Sequence, residues 1–199
     1  MIIGILKEPS FETRVSLLAE SSAALIKKGN KVIVESGAGE KSFNSNLEYE
    51  KIGAEIKSRT EVLEQAEILL SIHPLLDDDF SKITSKILLG VHQPLSNGEN
   101  VIKSIERKLT TFSLDMLPRT TRAQAMDVLS SQANIAGYKA VLLAANSYGR
   151  YFPMFMTAAG SIAPAKVLIL GAGVAGLQAI AKEKRLGAVV EVFDTRPAV

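Results

Sequence analysis

The chain has 199 residues, of which 47% are hydrophobic and 22% charged, so it is long enough for one large or two modest globular domains and is not of the disordered class. Its formal net charge of +2, without a basic run or an aromatic stacking platform, argues against a nucleic-acid-binding protein. The absence of cysteine excludes disulfides and thiolate chemistry and fits a reducing compartment, and two histidines leave little for a metal site.

Short apolar runs in the first half of the chain predict β-strands, and stretches with helical spacing alternate with them. This alternation is typical of a doubly wound α/β sheet. Ser36-Gly37-Ala38-Gly39, after the second strand, is interpreted as a tight turn in preference to a phosphate site. The strands are expected at residues 1–6, 31–35, 68–72, 86–91 and 109–114, and the helices at 16–28, 47–53, 60–65 and 98–108.

The longest helical pattern covers residues 122–148. Gly137 interrupts it at a cost of about 1 kcal/mol relative to alanine, so we expect a close helix crossing there. Residues 152–165, rich in Met, Ala, Gly and Pro, are the expected connector to the next strand. The apolar positions alternate steps of three and four residues and form one stripe, which consists of Met126, Leu129, Ala133, Ala136, Ala140 and Leu143.

The strongest functional signal lies between Lys166 and Asp194. A β-branched and leucine-rich run predicts a buried strand over residues 166–170, a G-x-G-x-x-G turn follows, and a helical pattern ends at Gly187. Residues 189–193 predict a second strand, which ends at the acidic residue. A glycine turn between a strand and a helix, with an acid roughly 20 residues later, is the dinucleotide-binding fingerprint.

The residue types of this fingerprint have distinct physical roles. Gly171 permits the tight turn, Gly173 lets a pyrophosphate approach the backbone, and Gly176 allows close packing of the helix, whose N-terminus faces the phosphates. Asp194 is expected to accept hydrogen bonds from the adenosine ribose and to repel a 2′-phosphate, which favours NAD(H) over NADP(H), and Arg196 weakens that preference. The alternative is a βαβ unit without a ligand. The predicted cofactor-binding residues are Gly171, Ala172, Gly173, Val174, Ala175, Gly176, Asp194, Thr195 and Arg196.

A second candidate site lies at the start of the long helical pattern. Gln124, Asp127 and Ser131 are spaced at i, i+3 and i+7, so they are predicted to share a helix face away from the apolar stripe. Ser130 lies near that face and Arg119 precedes it. An amide-bearing ligand would find hydrogen-bond donors and acceptors in this group.

The same residues also have a purely structural interpretation. Thr121-x-x-Gln124 has the form of a capping box, in which two side chains bind the free backbone groups of a helix start. Asp127 would favour the first turn through the helix dipole. Spacing alone leaves both interpretations open.

Several longer motifs are distributed along the chain. They are PRTTRAQAMDVLSSQANIAGY at residues 118–138, MTAAG at 156–160, PAKV at 164–167, the glycine turn at 171–176, FDTRP at 193–197, and the N-terminal KE at 7–8, TRV at 13–15 and VESGAG at 34–39. Together they resemble the motifs of one known family, the alpha subunits of proton-translocating NAD(P) transhydrogenases. The resemblance covers essentially the whole chain and is more specific than a glycine turn.

The resemblance implies two doubly wound, Rossmann-like α/β domains linked by a long helix, with NAD(H) in the cleft between them. We therefore expect an N-terminal α/β domain at residues 1–121, a bridging helix and connector at 122–165, and the start of an NAD-binding Rossmann domain at 166–199. A dinucleotide domain normally needs several further strands, so the second domain is expected to be incomplete in this chain.

The resemblance also implies a function. The family's NAD(H)-binding component forms a homodimer and docks on an NADP(H)-binding component carried by a membrane-spanning part, and hydride passes between NADH and NADP⁺ with coupled proton translocation. We expect a peripheral location on the cytoplasmic face of the inner membrane. No apolar run reaches the roughly 18–20 residues of a membrane span, and no signal peptide is predicted. The family's nicotinamide-site residues fall here on Arg119, Gln124, Asp127 and Ser130.

Two other functions stay open. Alanine dehydrogenase shares the expected fold, and its substrate arginine and its histidine match Arg14 and His92, but its lysine, two residues before Pro74, is replaced by Ile72. The other is a catalytically idle NAD-binding or dimerisation fragment. His73 and His92 each follow a predicted strand, where α/β sheets place ligands, although a lone histidine there is more often a loop hydrogen-bonder and their separation is not a metal-ligand pattern.

Overall fold

The computed structural model describes residues 1–118 and 120–196. The chain divides into two compact units, Met1–Met126 and Asp127–Val199. Strands alternate with helices in the first unit, and the second contains a parallel strand pair connected by a helix. The α/β fold class expected from the sequence is therefore confirmed.

Within the described residues of the first unit, the strands are β1 (Ile2–Ile5), β2 (Lys31–Glu35), β3 (Glu55–Lys57), β4 (Ile68–Leu70), β5 (Ile87–Gly90) and β6 (Thr110–Ser113). All pair in parallel in the order β3-β2-β1-β4-β5-β6. The order reverses between β1 and β4, as in doubly wound sheets. The connecting helices are α1 (Ala19–Lys27), α2 (Asn46–Lys51), α3 (Arg59–Gln65), α4 (Asp77–Phe80) and α5 (Gly98–Glu106), and short 3₁₀ helices lie at Glu40–Ser42, Leu114–Met116 and Thr121–Met126.

Apolar side chains cover both faces of this sheet, as its continuous hydrophobic strands require. In β2, Val32 and Val34 belong to the core on one face and Ile33 to the core on the other. Gly4 lies at the centre of the second face, where a Cβ atom would stand 2.7 Å from Ala66 Cβ. The end of α3 and the residue after it therefore pack directly on β1.

The edge strand β3 is missing from the sequence prediction because Glu55–Lys57 has a single apolar residue between two charged ones. Lys31 Nζ lies 2.8 Å from Glu55 Oε1, and Lys57 Nζ lies 3.6 Å from Glu55 Oε2. Charged side chains on an edge strand discourage pairing with another chain. The strand is recognisable only from its partner, β2.

The second unit begins with a long helix, and a β-hairpin and a β–α–β segment follow it. The hairpin is antiparallel, and the strands of the β–α–β segment are parallel. The residues expected to form only a connector therefore contain a hairpin. The elements are α6 (Val128–Ser147), β7 (Phe155–Thr157), β8 (Gly160–Ile162), β9 (Lys166–Leu170), α7 (Val174–Arg185) and β10 (Val189–Phe193).

The helices α6 and α7 cross at very short range. A Cβ atom on Gly137 would lie only 2.1 Å from the carbonyl oxygen of Ala175, so no other residue fits at this point without a backbone shift. Lys182 Nζ stands 4.6 Å from the centre of the ring of Tyr138, the next residue of α6, in a cation–π contact. The close crossing predicted at Gly137 is confirmed.

The long helix begins later than the sequence pattern indicates. A 3₁₀ helix covers Thr121–Met126, and α6 starts only after its N-cap, Asp127, whose Oδ1 accepts a hydrogen bond from Ser130 N–H at 2.9 Å. An aspartate that binds the backbone of the following turn favours a helix start and competes with helix continuation. The prediction of one helix over residues 122–148 is therefore wrong at its N-terminal end.

One buried carboxyl group in α7 is expected to destabilise the second unit. Glu183 is 2% exposed, and its Oε2 has no hydrogen-bond partner among residues 1–118 and 120–196. Burial raises the pKa of this carboxyl above 4.5. A raised folded-state pKa means that the folded chain binds this proton more tightly than the unfolded chain. The contribution of Glu183 to stability is therefore most favourable below the unfolded pKa and becomes less favourable as pH rises through the folded pKa.

Glu183→Ala is therefore expected to raise the free energy of unfolding, by about 1–2 kcal/mol at pH 8 and by less at pH 5. Urea unfolding at both pH values measures the difference. Glu64→Ala, at an exposed position in α3, is the matched control and should change the free energy of unfolding by less than about 0.5 kcal/mol. An equal effect of Glu183→Ala at pH 5 and pH 8 would contradict the interpretation.

Candidate functional site

The glycine turn connects β9 to α7. Its backbone turns sharply, and it leaves free space around Gly173. Gly171 has φ of +96°, a conformation that favours glycine, and its N–H donates to the Phe193 carbonyl at 2.7 Å. A Cβ atom on Gly176 would lie 1.8 Å from the Gly171 carbonyl oxygen, so α7 sits directly against the turn. Gly173 is the N-cap of α7, and a Cβ atom there would have no neighbour within 4 Å. The backbone at Gly173 is thus accessible to a large anionic group, beside the N–H groups of the first helical turn.

Asp194 follows β10 directly and lies beside this turn. Its Oδ2 accepts a hydrogen bond from Ala172 N–H at 2.7 Å, which fixes the carboxylate against the middle of the glycine turn. Its Oδ1 accepts from the backbone N–H and from Nε of Arg196, both at 2.9 Å. The Arg196 guanidinium holds the pKa of this carboxyl well below its usual range, so Asp194 is ionised. The structure thus brings together the two ends of the fingerprint, which are 22 residues apart.

Two of the residues predicted around a nicotinamide, Asp127 and Ser130, lie at the start of α6. The Asp127 carboxylate accepts from Ser130 N–H at 2.9 Å and from Ser130 Oγ at 2.6 Å, so these two side chains form one unit. Ser131 Oγ donates to the Asp127 carbonyl at 3.2 Å. Arg119 lies outside the described residues.

Gln124 does not belong to the helix that begins at the Asp127–Ser130 pair. It belongs to the 3₁₀ helix Thr121–Met126 and is exposed, so it does not share a continuous α-helical face with Asp127 and Ser131. That prediction is wrong because the helix cap at Asp127 interrupts the periodicity on which it rested. The N-cap of α6 is Asp127 and not Thr121.

The sequence patterns miss a network of charged residues at the carboxyl ends of β1 and β4. Glu8 is only 9% exposed and accepts from the N–H groups of Ile72 at 2.6 Å and His73 at 3.1 Å, and burial raises the pKa of its carboxyl. Glu12 accepts from Arg14 Nη2 at 2.6 Å and lies 2.9 Å from His73 Nε2. The Arg14 guanidinium holds the pKa of Glu12 well below its usual range. The bridges to Ile72 and His73 join positions more than 60 residues apart, so no local pattern signals them.

His73 therefore serves as a loop hydrogen-bonder, and its ring also packs edge-on against Phe11 with ring centres 5.1 Å apart. His92 is buried: its backbone N–H donates to Ser113 Oγ at 2.8 Å, and its ring lies against the backbone of Gly90. Burial lowers the pKa of the His92 imidazole, which favours the neutral form. Its Nε2 is enclosed and has no hydrogen-bond partner in the part of the chain that the structure describes.

A second charged cluster links the loops around the reversal point of the sheet. The Arg59 guanidinium binds both Asp79 oxygens, at 2.9 and 2.6 Å, and also contacts Glu35 Oε2 at 2.8 Å. Glu35 Oε2 in turn accepts from Lys7 N–H at 2.8 Å. Arg59, Glu35, Lys7 and Glu8 border a cavity of about 220 Å³. Arg59 thus connects the end of β2 with the segments that follow β1 and β4.

Comparison with known proteins gives two family profiles that together cover nearly the whole chain. The profile described as "Alanine dehydrogenase/PNT, N-terminal domain" matches residues 4–136, and the corresponding C-terminal domain profile matches residues 140–199. The chain belongs to the alanine dehydrogenase/PNT family. The resemblance recognised in the sequence motifs is therefore confirmed.

Relatives on both branches of this family align with the chain. It is 40% identical to an NAD(P) transhydrogenase alpha-subunit chain of Rickettsia prowazekii (strain Madrid E), over 99% of this chain and 53% of the relative. It is 30% identical to alanine dehydrogenase of Mycolicibacterium smegmatis, over 98% of this chain and 53% of that protein. The crystal structure of transhydrogenase from Sinorhizobium meliloti superposes with a TM-score of 0.94 at 44% identity, over 100% of this chain and 60% of that one.

The chain spans about half the length of the two relatives matched in sequence. Within residues 1–118 and 120–196, no helix is both long and apolar enough to cross a bilayer. Nor does any group of three or more His, Cys, Asp or Glu side chains among the described residues have the arrangement needed to hold a metal ion.

Proposed function

We propose that this chain is the NAD(H)-binding component of an NAD(P) transhydrogenase. In this role it passes hydride between NADH and NADP⁺ that is bound on a partner component. The geometry that carries the proposal is the Asp194 carboxylate, which is held 2.7 Å from Ala172 N–H beside an open glycine turn. The higher identity to a transhydrogenase alpha subunit than to an alanine dehydrogenase supports the choice within the family.

The adenosine half of NAD(H) would bind at the β9–α7 turn. The pyrophosphate would approach Gly173, where the backbone is open, and accept hydrogen bonds from the first turn of α7. The hydroxyls of the adenosine ribose would donate to Asp194. Because that carboxylate is ionised, a 2′-phosphate would be repelled.

The nicotinamide would be held by the residues that match the family motif, namely Arg119, Gln124, Asp127 and Ser130. A nicotinamide ring supplies the hydride chemistry, so the protein needs no acid or base for the transfer itself. Its task is to align donor and acceptor and to exclude water. The Asp127–Ser130 pair is preorganised for this role by two mutual hydrogen bonds.

The partners follow from the same proposal. A homodimer of this chain would dock on an NADP(H)-binding component carried by the membrane-spanning part of the enzyme, at the cytoplasmic face of the inner membrane. Proton translocation would take place in that membrane part, coupled to hydride transfer at the docked site.

Alanine dehydrogenase activity is disfavoured by two observations. Ile72 occupies the position of the required lysine and cannot ionise. His92 is 8% exposed with its Nε2 enclosed, whereas an acid–base histidine must reach its substrate.

Nucleotide preference tests the proposed function. The protein should bind NADH more tightly than NADPH and should reduce NADP⁺ with NADH when its NADP(H)-binding partner is added. Asp194→Ala is expected to weaken NADH binding by about tenfold or more, since hydrogen bonds to a charged group are lost. The difference in affinity between NADH and NADPH should become smaller. Calorimetric titration measures both affinities, and Glu191→Ala in β10 controls for the loss of a negative charge. Equal or tighter binding of NADPH by the unmodified protein would overturn the proposal.

A further inference from the structure

Arg196 occupies most of the acceptor capacity of Asp194. An ionised carboxylate offers about four lone-pair positions on its two oxygens. In this structure four donors take them: Ala172 N–H and Arg196 Nη2 on Oδ2, and the backbone N–H and Nε of Arg196 on Oδ1. Three of the four donors therefore belong to one residue.

These contacts differ in how easily they can be exchanged. The bond from Ala172 is part of the glycine turn and is made by a buried residue. The Arg196 side chain, in contrast, is 59% exposed and its guanidinium can move into solvent. A vicinal diol that needs two acceptor positions on Asp194 would thus displace the guanidinium and leave the Ala172 contact in place.

Resting on the proposed function, we infer that Arg196 is a specificity-determining residue that competes with the adenosine ribose for Asp194. Its guanidinium lowers the affinity for NAD(H) because its contacts with the carboxylate must be broken before the ribose binds. Once displaced, the guanidinium remains attached two residues from Asp194, where it can pair with a 2′-phosphate. The same residue therefore weakens the binding of NAD(H) and relaxes the exclusion of NADP(H).

Arg196→Gln tests this inference through the binding of NADH and NADPH. Exposed ion pairs contribute little, so we expect the dissociation constant for NADH to fall by about two- to fivefold. The dissociation constant for NADPH should rise by a similar factor, so that the ratio of the two changes by about tenfold. Arg185→Gln removes the same charge from an exposed position at the end of α7 and should change both affinities in the same direction.

Two further measurements separate competition from a general charge effect. Arg196→Lys keeps the charge but loses the planar fork, and its affinities should lie between those of the unmodified protein and Arg196→Gln. In the nucleotide-free protein, carbon NMR titration should show a higher Asp194 pKa in Arg196→Gln, because the guanidinium that lowers it is gone. An unchanged pKa would mean that the pair does not form in solution and would overturn the inference.

The outcomes also distinguish this inference from the proposed function. If the unmodified protein binds NADH but Arg196→Gln binds it equally or more weakly than Arg185→Gln does, the competition inference alone is wrong. If the unmodified protein prefers NADPH or binds neither nucleotide, the proposed function fails and the inference fails with it.

Discussion

Arg59→Ala is expected to lower the free energy of unfolding of the first unit by about 3 kcal/mol, the largest loss of stability predicted for this chain. The substitution leaves the Asp79 carboxylate, whose side chain is 3% exposed, without its bidentate partner. It also removes the charge that pairs with Glu35, whose side chain is 13% exposed. An unpaired charge in these surroundings costs much more than the loss of a surface ion pair.

Urea or thermal unfolding measures this loss of stability, and two further variants serve as comparisons. Arg107→Ala removes the same charge from an exposed position in the same unit and should change stability by less than about 0.5 kcal/mol. Arg59→Lys keeps the charge but cannot bind both Asp79 oxygens in a planar fork, so it should fall between the two. A loss for Arg59→Ala no larger than that for Arg107→Ala would show that this cluster contributes as little as an ordinary surface pair.

Gln124→Asn is expected to slow hydride transfer on the order of 100-fold while leaving stability nearly unchanged. The substitution keeps an amide but shortens its reach by one methylene, and geometric errors of about 1 Å can cost that much in rate. Stability should be preserved because Gln124 is exposed and the cap of α6 is made by Asp127. Transhydrogenation by the complex with its NADP(H)-binding partner gives the rate, and thermal melting gives the stability.

The matched control is Gln65→Asn, at the exposed last residue of α3, which should alter neither quantity. If Gln124→Asn lowers the melting temperature but keeps the rate within about twofold, the residue is structural and the nicotinamide assignment of this segment is wrong. Weaker NADH binding with an unchanged rate at saturating NADH would instead indicate that Gln124 stabilises the ground state and the transition state equally.

Local sequence patterns predicted those elements that a short run of neighbouring residues is enough to identify. The strand at Lys166–Leu170, the glycine turn and the helix Val174–Arg185 were predictable because parallel strands are rich in apolar residues and the turn needs glycine at fixed offsets. The expected burial of this strand is wrong, since Leu168 is 61% and Leu170 75% exposed. Gly137 indicated a close crossing because glycine is otherwise unfavourable inside a helix. The partner at that crossing, Ala175, follows only from the packing of α6 on α7.

Tertiary structure decided the features that depend on contacts between distant residues. The edge strand β3 exists because β2 pairs with it, and the charged bridges from Glu8 to Ile72 and from Arg59 to Asp79 join segments 64 and 20 residues apart. Periodicity reports which face of an element is apolar but not which side chains meet across elements. The sequence by itself therefore determined the fold class and the position of the glycine turn. Only the folded chain decided that Asp127 interrupts the long helix and that Asp194 is shared between Ala172 and Arg196, because each of these depends on hydrogen bonds that compete with one another in three dimensions.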